Sequence, residues 1–418
     1  MNKKLMAVAV AGASAAPGFA LAQAPSVTIS GYFKVGFESL NYSDTPSTIN
    51  RLNKNQLRVV DGSSRIVFNV TEDLGGGLSA VAQLDQRFTP DQASTIQTSN
   101  PIGGGNTWVG LRSTTLGTLT MGRSDLHYGK SPDDTTNKAG AFQASANAVF
   151  DFVTSGTGTN TSIANTTRTQ NVVKWDSPNW NGFTGTVAWS ANPIGNSEQD
   201  MLNTTAAIGQ QSITPGALPG SAAIGAPLTA ATVPGAVTHR KGDGWNVNPQ
   251  YSNGPFLVGY SYWRAKQDAP TAATTDQRGD SVYGYYRFGD FKVGLGWNKS
   301  KLERASDGVK NSERTAWSLP MSYVWGPHNI VGHYTRAGDI SSNLAGATTS
   351  NTGAHMVAVA YVYDLSKRTS VGLTYAKVNN DTNAGYNLYN SASAGSSDAT
   401  IVNGESPRIL QATIKQAF

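Results

Sequence analysis

Cysteine is absent from the 418 residues of the chain, so no disulfide can contribute to its stability. Charged residues are scarce, at 14%, and the formal net charge is only +5. Lys and Arg form no stripe interleaved with stacking aromatics, so we expect no nucleic-acid partner. Beyond residue 22, no stretch approaches the roughly 18 apolar residues that a transmembrane helix requires. A large chain without disulfides needs another source of stability. A closed β-sheet is one, because it has no unpaired edge.

Residues 1–22 have the features of a secretory signal peptide. Lys3 and Lys4 precede an apolar run, and an A-x-A cleavage pattern ends at Ala22. The apolar run is too short for a transmembrane helix. We therefore expect export and cleavage, which leave residues 23–418 as one domain. Because two lysines are lost with the signal, the net charge falls from +5 to +3.

The sequence is rich in segments that alternate apolar with polar or small residues. Examples are RIVFNV (65–70), FKVGLGWNK (291–299) and ILQATIKQAF (409–418). Successive side chains of a β-strand point to opposite faces, so this period of two predicts strands with one apolar face each. The 45 glycines suit the tight turns that many short strands need. The sequence therefore predicts an all-β fold.

The connections between these strands alternate between short and long. Seven short turns, rich in Gly, Pro, Asn or Asp, fall at 72–77, 114–117, 177–182, 252–255, 288–290, 325–327 and 364–367. Eight longer polar segments fall near 41–55, 89–104, 124–167, 191–242, 267–277, 303–312, 338–351 and 380–404. Fifteen connections join sixteen strands, and their alternation puts every long loop at one end. This layout predicts a sixteen-stranded antiparallel transmembrane β-barrel in an outer membrane.

The nine tryptophans all lie in predicted strands or short turns. Aromatic residues form girdles at both membrane interfaces of such barrels, so we expect the tryptophans to lie there. The same distribution is expected if tryptophan is simply rare in loops.

The alternation also assigns charged side chains to the inner face, because a charge on the lipid face is costly. Arg65 alternates with Ile66 and Phe68, so we expect it to point inward. The same argument places further charges on the inner face: Asp85, Arg87, Arg168, Lys174 and Lys292. The charges at the narrowest point of a pore set its selectivity, so these residues are candidates for that role.

Four segments resemble a known family. They are SSRIVFNVTEDLGGGLSAVAQLDQRF (63–88), WVGLRSTTLGTLTMGR (108–123), NVVKWDSPNWNGF (171–183) and YVYDLSKRTSVGLTYAKVNN (361–380). Each is similar to a segment of the general porins of Gram-negative bacteria, especially those of β-proteobacterial type, and TEDLGGG and LSKRT are the most specific. The resemblance implies a homotrimer of sixteen-stranded barrels. It also implies that the third external loop, 124–167, folds inward and narrows a water-filled pore for small hydrophilic solutes and ions.

The resemblance further implies a basic wall and an acidic loop at the constriction. Arg65, Arg168 and Arg123 match arginines of the family, and we add Arg87 and Lys174 to this wall. Where some relatives carry a further arginine, this chain has Asn106, so we expect weak anion selectivity or none. The loop carboxylates expected to face the wall are Asp125, Asp133, Asp134 and Asp151. Charges of opposite sign across a narrow pore create a transverse field.

We expect a passive diffusion channel, not an enzyme. A substrate-specific channel for sugars or organic acids is the first alternative. A barrel enzyme is the second, and His333 is the only histidine well inside a predicted strand with polar neighbours on its own face. The chain lacks the G-x-S-x-G, H-E-x-x-H and C-x-x-C motifs, so we expect no catalytic site, metal or cofactor.

The segment ILQATIKQAF (409–418) reads as the sixteenth strand, paired with the first. Leu410, Ala412 and Ile414 would face lipid, and Phe418 would lie at the periplasmic interface, which favours aromatic rings. The resemblance implies that Phe418 is a signal read by the outer-membrane assembly machinery. The other expected partners are the lipids and lipopolysaccharide of the membrane. Gln416 lies on the lipid side of the pattern, and nothing in the sequence explains it.

Overall fold

The computed structural model describes residues 25–47, 54–91, 103–126, 147–150, 152–154, 160–162, 168–191, 193, 242–267, 275–388 and 401–418. The predicted signal peptide lies outside these residues, so its assignment stays a prediction. The strands are β1 (Ser26–Ser43), β2 (Asn55–Asp61), β3 (Arg65–Gly75), β4 (Leu78–Arg87), β5 (Thr107–Ser113), β6 (Gly117–Ser124), β7 (Phe152–Thr154), β8 (Asn160–Ser162), β9 (Thr169–Asp176), β10 (Phe183–Ser190), β11 (Gly242–Asn253), β12 (Phe256–Gln267), β13 (Thr275–Phe288), β14 (Phe291–Arg304), β15 (Lys310–Trp325), β16 (His328–Ala337), β17 (Ala354–Asp364), β18 (Thr369–Asn380) and β19 (Ser406–Ala417). One short helix, α1 (Asn147–Phe150), precedes β7. No helix in the described part of the chain is long and apolar enough to cross a membrane.

The sheet closes on itself. Strand β1 pairs with β19 along one edge and with both β2 and β3 along the other. Strands β2 and β3 therefore act as one barrel strand, interrupted at 62–64, and the remaining strands pair in sequence except for the separate ribbon of β7 and β8. Counted in this way, sixteen antiparallel strands form the barrel, as the sequence predicts. Closure leaves no unpaired strand edge, so the sheet does not need disulfides to protect its edges.

Short and long connections alternate as predicted. The short turns span 76–77, 114–116, 177–182, 254–255, 289–290, 326–327 and 365–368, and the longer connections lie at the other end. In three two-residue turns the first residue is a glycine with positive φ: Gly254 (54°), Gly289 (59°) and Gly326 (54°). A two-residue hairpin with such a glycine first matches the right-handed twist of its strands. The connection predicted at 303–312 is shorter, at 305–309, because β14 and β15 extend past a bulge at Leu302.

The outward-facing side chains form two aromatic girdles with aliphatic residues between them. Near the short turns the exposed aromatics include Phe183, Phe256, Tyr286, Tyr323 and Trp325. Near the long loops they include Trp189, Trp245, Tyr260, Trp297 and Trp317. The girdle prediction is wrong for two tryptophans. Trp108 lies opposite inward-facing Gln83, and Trp263 lies opposite inward-facing Asn246 and is fully buried.

The last strand has the orientation that the sequence predicts. Leu410 and Ile414 are exposed on the outer face, and Gln411 between them is fully buried on the inner face. Gln416 does point outward, but Thr369 Oγ1 donates a hydrogen bond to its Oε1 at 2.7 Å. This cross-strand bond explains how a polar side chain is tolerated on the outer face near the membrane interface.

A patch of small apolar side chains lines the inner face of β15 to β18. It consists of Ala316, Ala337, Ala354, Met356, Ala358, Ala376 and Val378, all buried. Val149 and Phe150 of α1 pack against this patch, as do Tyr386 and Leu388 from the connection between β18 and β19. Because these seven residues lie on the inward side of their strands, the described parts of both connections lie against the inner wall. We call the seven residues the apolar inner patch.

Candidate pore constriction

The inner wall of β3 and β4 holds two arginines around one carboxylate. Arg65 lies directly opposite Arg87 in the β3–β4 ladder. Two like charges at such a position repel, but Asp85 is two residues before Arg87 and therefore on the same face. Arg87 Nη2 lies 2.9 Å from Asp85 Oδ2, and Arg65 Nη1 lies 3.8 Å from the same oxygen. Asp85 is almost fully buried, so this carboxylate holds both guanidinium groups at the wall.

Residues that precede β5 enclose Asp85 from the side. The backbone N–H of Gly105 donates to the Asp85 carbonyl oxygen at 2.9 Å. A Cβ atom on Gly105 would collide with the Asp85 side chain, so only glycine fits there. The backbone N–H of Asn106 also approaches Asp85 Oδ2, at 3.4 Å. The GGG run at 103–105 is the sequence signal for this close approach.

Arg168 and Arg123 extend the basic group towards the long loops. Arg168 directly precedes β9, and its pKa is lowered to about 10, first by burial and next by the positive charge of Arg87. Arg123 lowers this pKa further, whereas Asp125 and Asp85 raise it. Arg168 therefore interacts electrostatically with both Arg87 and Arg123. We call Arg65, Arg87, Arg123 and Arg168 the arginine wall.

Two members of the predicted site differ in position from the rest. Arg123 lies opposite Thr107, on the same side of β6 as the outward-facing Met121, so the ladder places it on the outer side of its strand. It joins the group only through its electrostatic interaction with Arg168. Lys174 lies six residues beyond Arg168, about 20 Å along the strand towards the short turns. It forms an ion pair with Asp176 at 2.9 Å. Lys174 therefore lies in the part of the lumen nearer the short turns, which we call the lower lumen, away from the arginine wall.

Asp125 is the one predicted loop carboxylate within the described residues. Asn106 Nδ2 donates to Asp125 Oδ2 at 2.9 Å, and the Asp125 backbone N–H donates to Asn106 Oδ1 at 2.8 Å. Asp125 thus lies on the side of the arginine wall, near Arg168, rather than across the lumen from it. The other three, Asp133, Asp134 and Asp151, lie outside the described residues.

The third external loop reaches the wall that faces the arginines. Arg314 Nη1 of β15 donates a hydrogen bond of 2.8 Å to the carbonyl oxygen of Phe150. In the strand order of the barrel, β15 to β17 lie on the side opposite β3 to β6. The loop starts after β6, beside the arginine wall, and α1 lies against the apolar inner patch. The described segment α1 of this loop therefore contacts the inner wall.

Arg314 and a second buried ionic group were missed by the sequence analysis. Arg314 lies 5.9 Å from the centroid of the Tyr386 ring, so one side chain contacts both loop segments at the apolar inner patch. On β1, fully buried Glu38 accepts hydrogen bonds from Arg58 Nε at 2.6 Å and Gln411 Nε2 at 2.7 Å. The alternation argument that assigns Arg65 to the inner face also assigns these residues there, since each alternates with outward-facing residues.

His333 is fully buried on the inner face of β16, where its neighbours across the ladder are Pro320 and Ala358. Neither of these two cross-strand neighbours is a nucleophile or a carboxylate, the groups that act with a catalytic histidine. In the described residues, no group of three His, Cys, Asp or Glu is arranged to hold a metal ion.

Known proteins that are similar to this chain, in sequence or in structure, are outer-membrane proteins or porins. The profile of the Gram-negative porin family matches residues 7–383. An outer membrane porin protein of Bordetella pertussis is 26% identical over 391 residues, which cover 89% of this chain and 92% of the relative. The major outer membrane protein P.IA of Neisseria meningitidis serogroup C is 26% identical over 431 residues, covering 94% and 99%. The structure of an anion-selective porin from Comamonas acidovorans aligns with a TM-score of 0.65 at 18% identity, covering 94% of this chain and 100% of that porin.

The family match includes all the strands that carry the arginine wall as well as those of the apolar inner patch. The structural likeness agrees with the closed barrel derived from the strand pairings. Because the match runs through most of the chain, the protein belongs to the Gram-negative porin family and is a diffusion channel of the outer membrane, not an enzyme.

Proposed function

We propose that the channel is a general, weakly anion-selective pore for small hydrophilic solutes, narrowed between the arginine wall and the third external loop. The carrying observation is that Arg65 and Arg87 share the single carboxylate of Asp85. This trio therefore carries a net charge of +1 at the inner wall. Fixed charge at a narrow, water-filled point raises the local concentration of the opposite ion.

The preference for anions is weak because carboxylates lie within the same group. Without Arg123, whose position in the ladder is outward, the arginine wall contains three cations, and Asp85 and Asp125 offset two of them. Among the residues that the structure describes, the apolar inner patch itself carries no charge, and Arg314 lies beside it. The anion-selective porin of Comamonas acidovorans, a structural relative, supports the sign of the preference.

The reversal potential of the purified protein in a planar bilayer under a KCl gradient tests this function. We expect a potential whose sign reports greater permeability to chloride than to potassium. Raising the ionic strength should reduce the preference, because salt screens the wall charges. A clear preference for potassium would contradict the proposal.

A substrate-specific channel for sugars or organic acids would require aromatic rings or binding groups exposed along the lumen. Of the two tryptophans on the inner face, Trp263 is fully buried and cannot stack on a passing sugar, and the partly exposed Trp108 does not by itself form a ladder of aromatic rings. We therefore expect sugar and organic-acid fluxes into vesicles to rise linearly with concentration. Saturation of the flux, or block of the ion current by one solute, would favour the specific channel.

A homotrimer is part of the proposal, and the outer wall supports it. The outward-facing residues of β1 to β6 include no Trp or Tyr, but many exposed aliphatic residues such as Val59, Val109 and Leu119. We call this surface the bare half and the outward faces of β10 to β17 the belted half. A surface that contacts lipid at both interfaces favours aromatic girdles, so the bare half is the side suited to neighbouring subunits.

Phe418 is proposed to act in assembly. Its backbone N–H donates to the Gly31 carbonyl oxygen at 3.2 Å, and its ring lies 6.1 Å from that of Phe33. Its ring remains partly exposed at the short-turn end, where the assembly machinery could contact it.

A further inference from the structure

A polar pocket lies on the inner face of β9, β10 and β11, in the lower lumen. The strand ladders bring its central side chains together, because Asp176 lies directly opposite Thr186 and Thr186 lies directly opposite Asn248. Val187 and Val247 are the next residues along these strands and are exposed on the outer face, so the pocket opens to the lumen. Its volume is about 220 Å³, and the residues that line it are Asp176, Ser177, Thr184, Gly185, Thr186, Asn248 and Gln250.

Two opposite charges meet at this pocket. Lys174 is two residues before Asp176 and shares its face, and Lys174 Nζ lies 2.9 Å from Asp176 Oδ2. Thr186 Oγ1 donates a hydrogen bond of 2.6 Å to Asp176 Oδ1, which fixes the position of the carboxylate. Both side chains remain accessible from the lumen, since Asp176 is 34% exposed and Lys174 is 17% exposed. The pair has no net charge, so the proposed ion preference does not account for it.

The amide side of the pocket is positioned by Tyr283 of β13. Tyr283 lies directly opposite Gly259, and Gly259 lies directly opposite Gln250. A Cβ atom on Gly259 would lie 2.5 Å from the Tyr283 ring, so only glycine lets the ring reach across β12. Asn248 Nδ2 donates to the Tyr283 hydroxyl at 2.9 Å, and this hydroxyl donates to Gln250 Oε1 at 3.3 Å. In the described part of the chain, Gln250 Nε2 has no hydrogen-bond partner and is available as a donor.

This arrangement distinguishes between classes of solute. An anion bound at Lys174 would be repelled by Asp176, and a cation bound at Asp176 would be repelled by Lys174. A zwitterion avoids both penalties, because its ammonium group can face the carboxylate while its own carboxylate faces Lys174 and the Gln250 amide. Among the described residues that line the pocket none is aromatic, so a sugar would find no ring on which to stack.

We propose that this pocket binds a small zwitterionic amino acid on the periplasmic side of the constriction. The ammonium group donates to Asp176, and the carboxylate accepts hydrogen bonds from Lys174 Nζ and Gln250 Nε2. Binding is weak, in the millimolar range, because ion pairs that remain open to water contribute little. The short turns mark the periplasmic end, so an incoming amino acid meets this pocket after it passes the arginine wall. The site requires only that solutes enter the lumen and is independent of the proposed ion preference.

Ligand-observed NMR titrations of the purified, detergent-solubilised protein test the site. The probes are L-alanine, lactate, isopropylammonium and lactamide, which are similar in size and differ in charge. We expect L-alanine to bind more tightly than the other probes. Asp176→Asn should weaken L-alanine binding about tenfold and strengthen lactate binding, because Lys174 loses its competing carboxylate. Lys174→Gln should also weaken L-alanine binding but strengthen the binding of isopropylammonium. Structural damage to the pocket would weaken every probe, so these opposite shifts report the charges themselves.

Gln250→Leu removes the amide donor without a change of charge and should weaken L-alanine binding about threefold. The matched control is Asp307→Asn, which removes an exposed carboxylate from an ion pair with Arg304 at the long-loop end. It should bind L-alanine as the unaltered protein does.

Unchanged L-alanine binding by Asp176→Asn would overturn the proposal. Equal binding of lactate or isopropylammonium by the unaltered protein would identify a site for single ions, and equal binding of lactamide would identify one for neutral polar solutes. Either result would also overturn it. The reversal potential in KCl, measured without amino acid, tests the proposed ion preference separately, so the two proposals can fail independently.

Discussion

The belted half and the bare half of the outer wall share one sheet but carry different residues. On the belted half, Trp189 lies opposite Trp245, and Trp297 lies opposite Trp317, so tryptophans pair across strands at the external interface. On the bare half the outward positions are mostly aliphatic, as at Val109. The hydrogen-bonded ladders are the same on both halves, so strand formation does not require the difference. We interpret the difference in outward residues as a consequence of what each half is proposed to face: lipid for the belted half and neighbouring subunits for the bare half.

The inner wall of the barrel also differs between these two sides. Behind the bare half, β3 and β4 carry Arg65, Asp85 and Arg87. Behind β15 to β17 of the belted half, and behind the adjacent β18, lies the apolar inner patch. Charge at the lumen is therefore concentrated on the side proposed to face other subunits, and α1 packs on the side proposed to face lipid. A section through the barrel has a charged inner surface on one side and an apolar one on the other.

The largest effect is expected at Phe418, which lies where the two ends of the sheet join. Deletion of Phe418 should reduce the yield of assembled protein in the outer membrane severely, while the channels that do assemble conduct normally. Gel shifts of the folded species and single-channel recording measure the two quantities. The variant Phe418→Tyr keeps an aromatic ring and should assemble. Normal yield after deletion would contradict the assembly role.

A positive charge introduced on the belted half should have a different consequence from one introduced on the bare half. Leu295→Arg, on the belted half, should lower the free energy of unfolding by about 2–4 kcal/mol but leave the subunits associated. Val109→Arg, on the bare half, should dissociate them, because the charge would be buried between subunits without a partner. Both side chains are exposed in the isolated barrel, at 59% and 61%.

Urea unfolding in vesicles and native mass spectrometry distinguish these outcomes. If both variants keep the same subunit stoichiometry, the bare half is not the subunit contact.

Asp85→Asn sharpens the comparison at the inner wall. Arg65 and Arg87 would lose the carboxylate they share, which should cost about 1–3 kcal/mol of stability. The chloride preference should increase, because the wall gains net positive charge. Asp176→Asn is the control, since its partner Lys174 lies in the lower lumen. A reversal potential that moves equally in both variants would argue against a constriction at the arginine wall.

The smallest effect is expected at Arg314. Arg314→Gln should remove the hydrogen bond to the Phe150 carbonyl and loosen the third external loop from the apolar inner patch. Loss of one such bond is worth about 0.5–1.5 kcal/mol, so the loop should remain inside but move more. Single-channel recordings should have more current noise at an unchanged ion preference. Quiet channels of unaltered conductance would show that the bond does not hold the loop.

The alternation of apolar with polar residues, and of short with long connections, was sufficient to predict the strand number, the turns and the inward direction of Arg65. It could not reveal the burial of Trp263, because that depends on contacts from other strands and connections. Nor could it place Arg123, because a bulge shifts the register between β6 and β9 near its position. The apolar inner patch was missed for a related reason: alternating alanines suit an inner wall only when a loop packs on them. Gln416 required its partner Thr369, which is 47 residues away in sequence.

The most direct test compares two pairs of cations in one measurement of reversal potential. Arg65→Gln/Arg168→Gln removes two charges from the arginine wall, and Arg264→Gln/Lys266→Gln removes two from the outer face. The account predicts that the first variant loses its preference for chloride and that the second keeps it. Equal shifts in both variants, or no shift in the first, would contradict the claim that the arginine wall sets the selectivity of the pore.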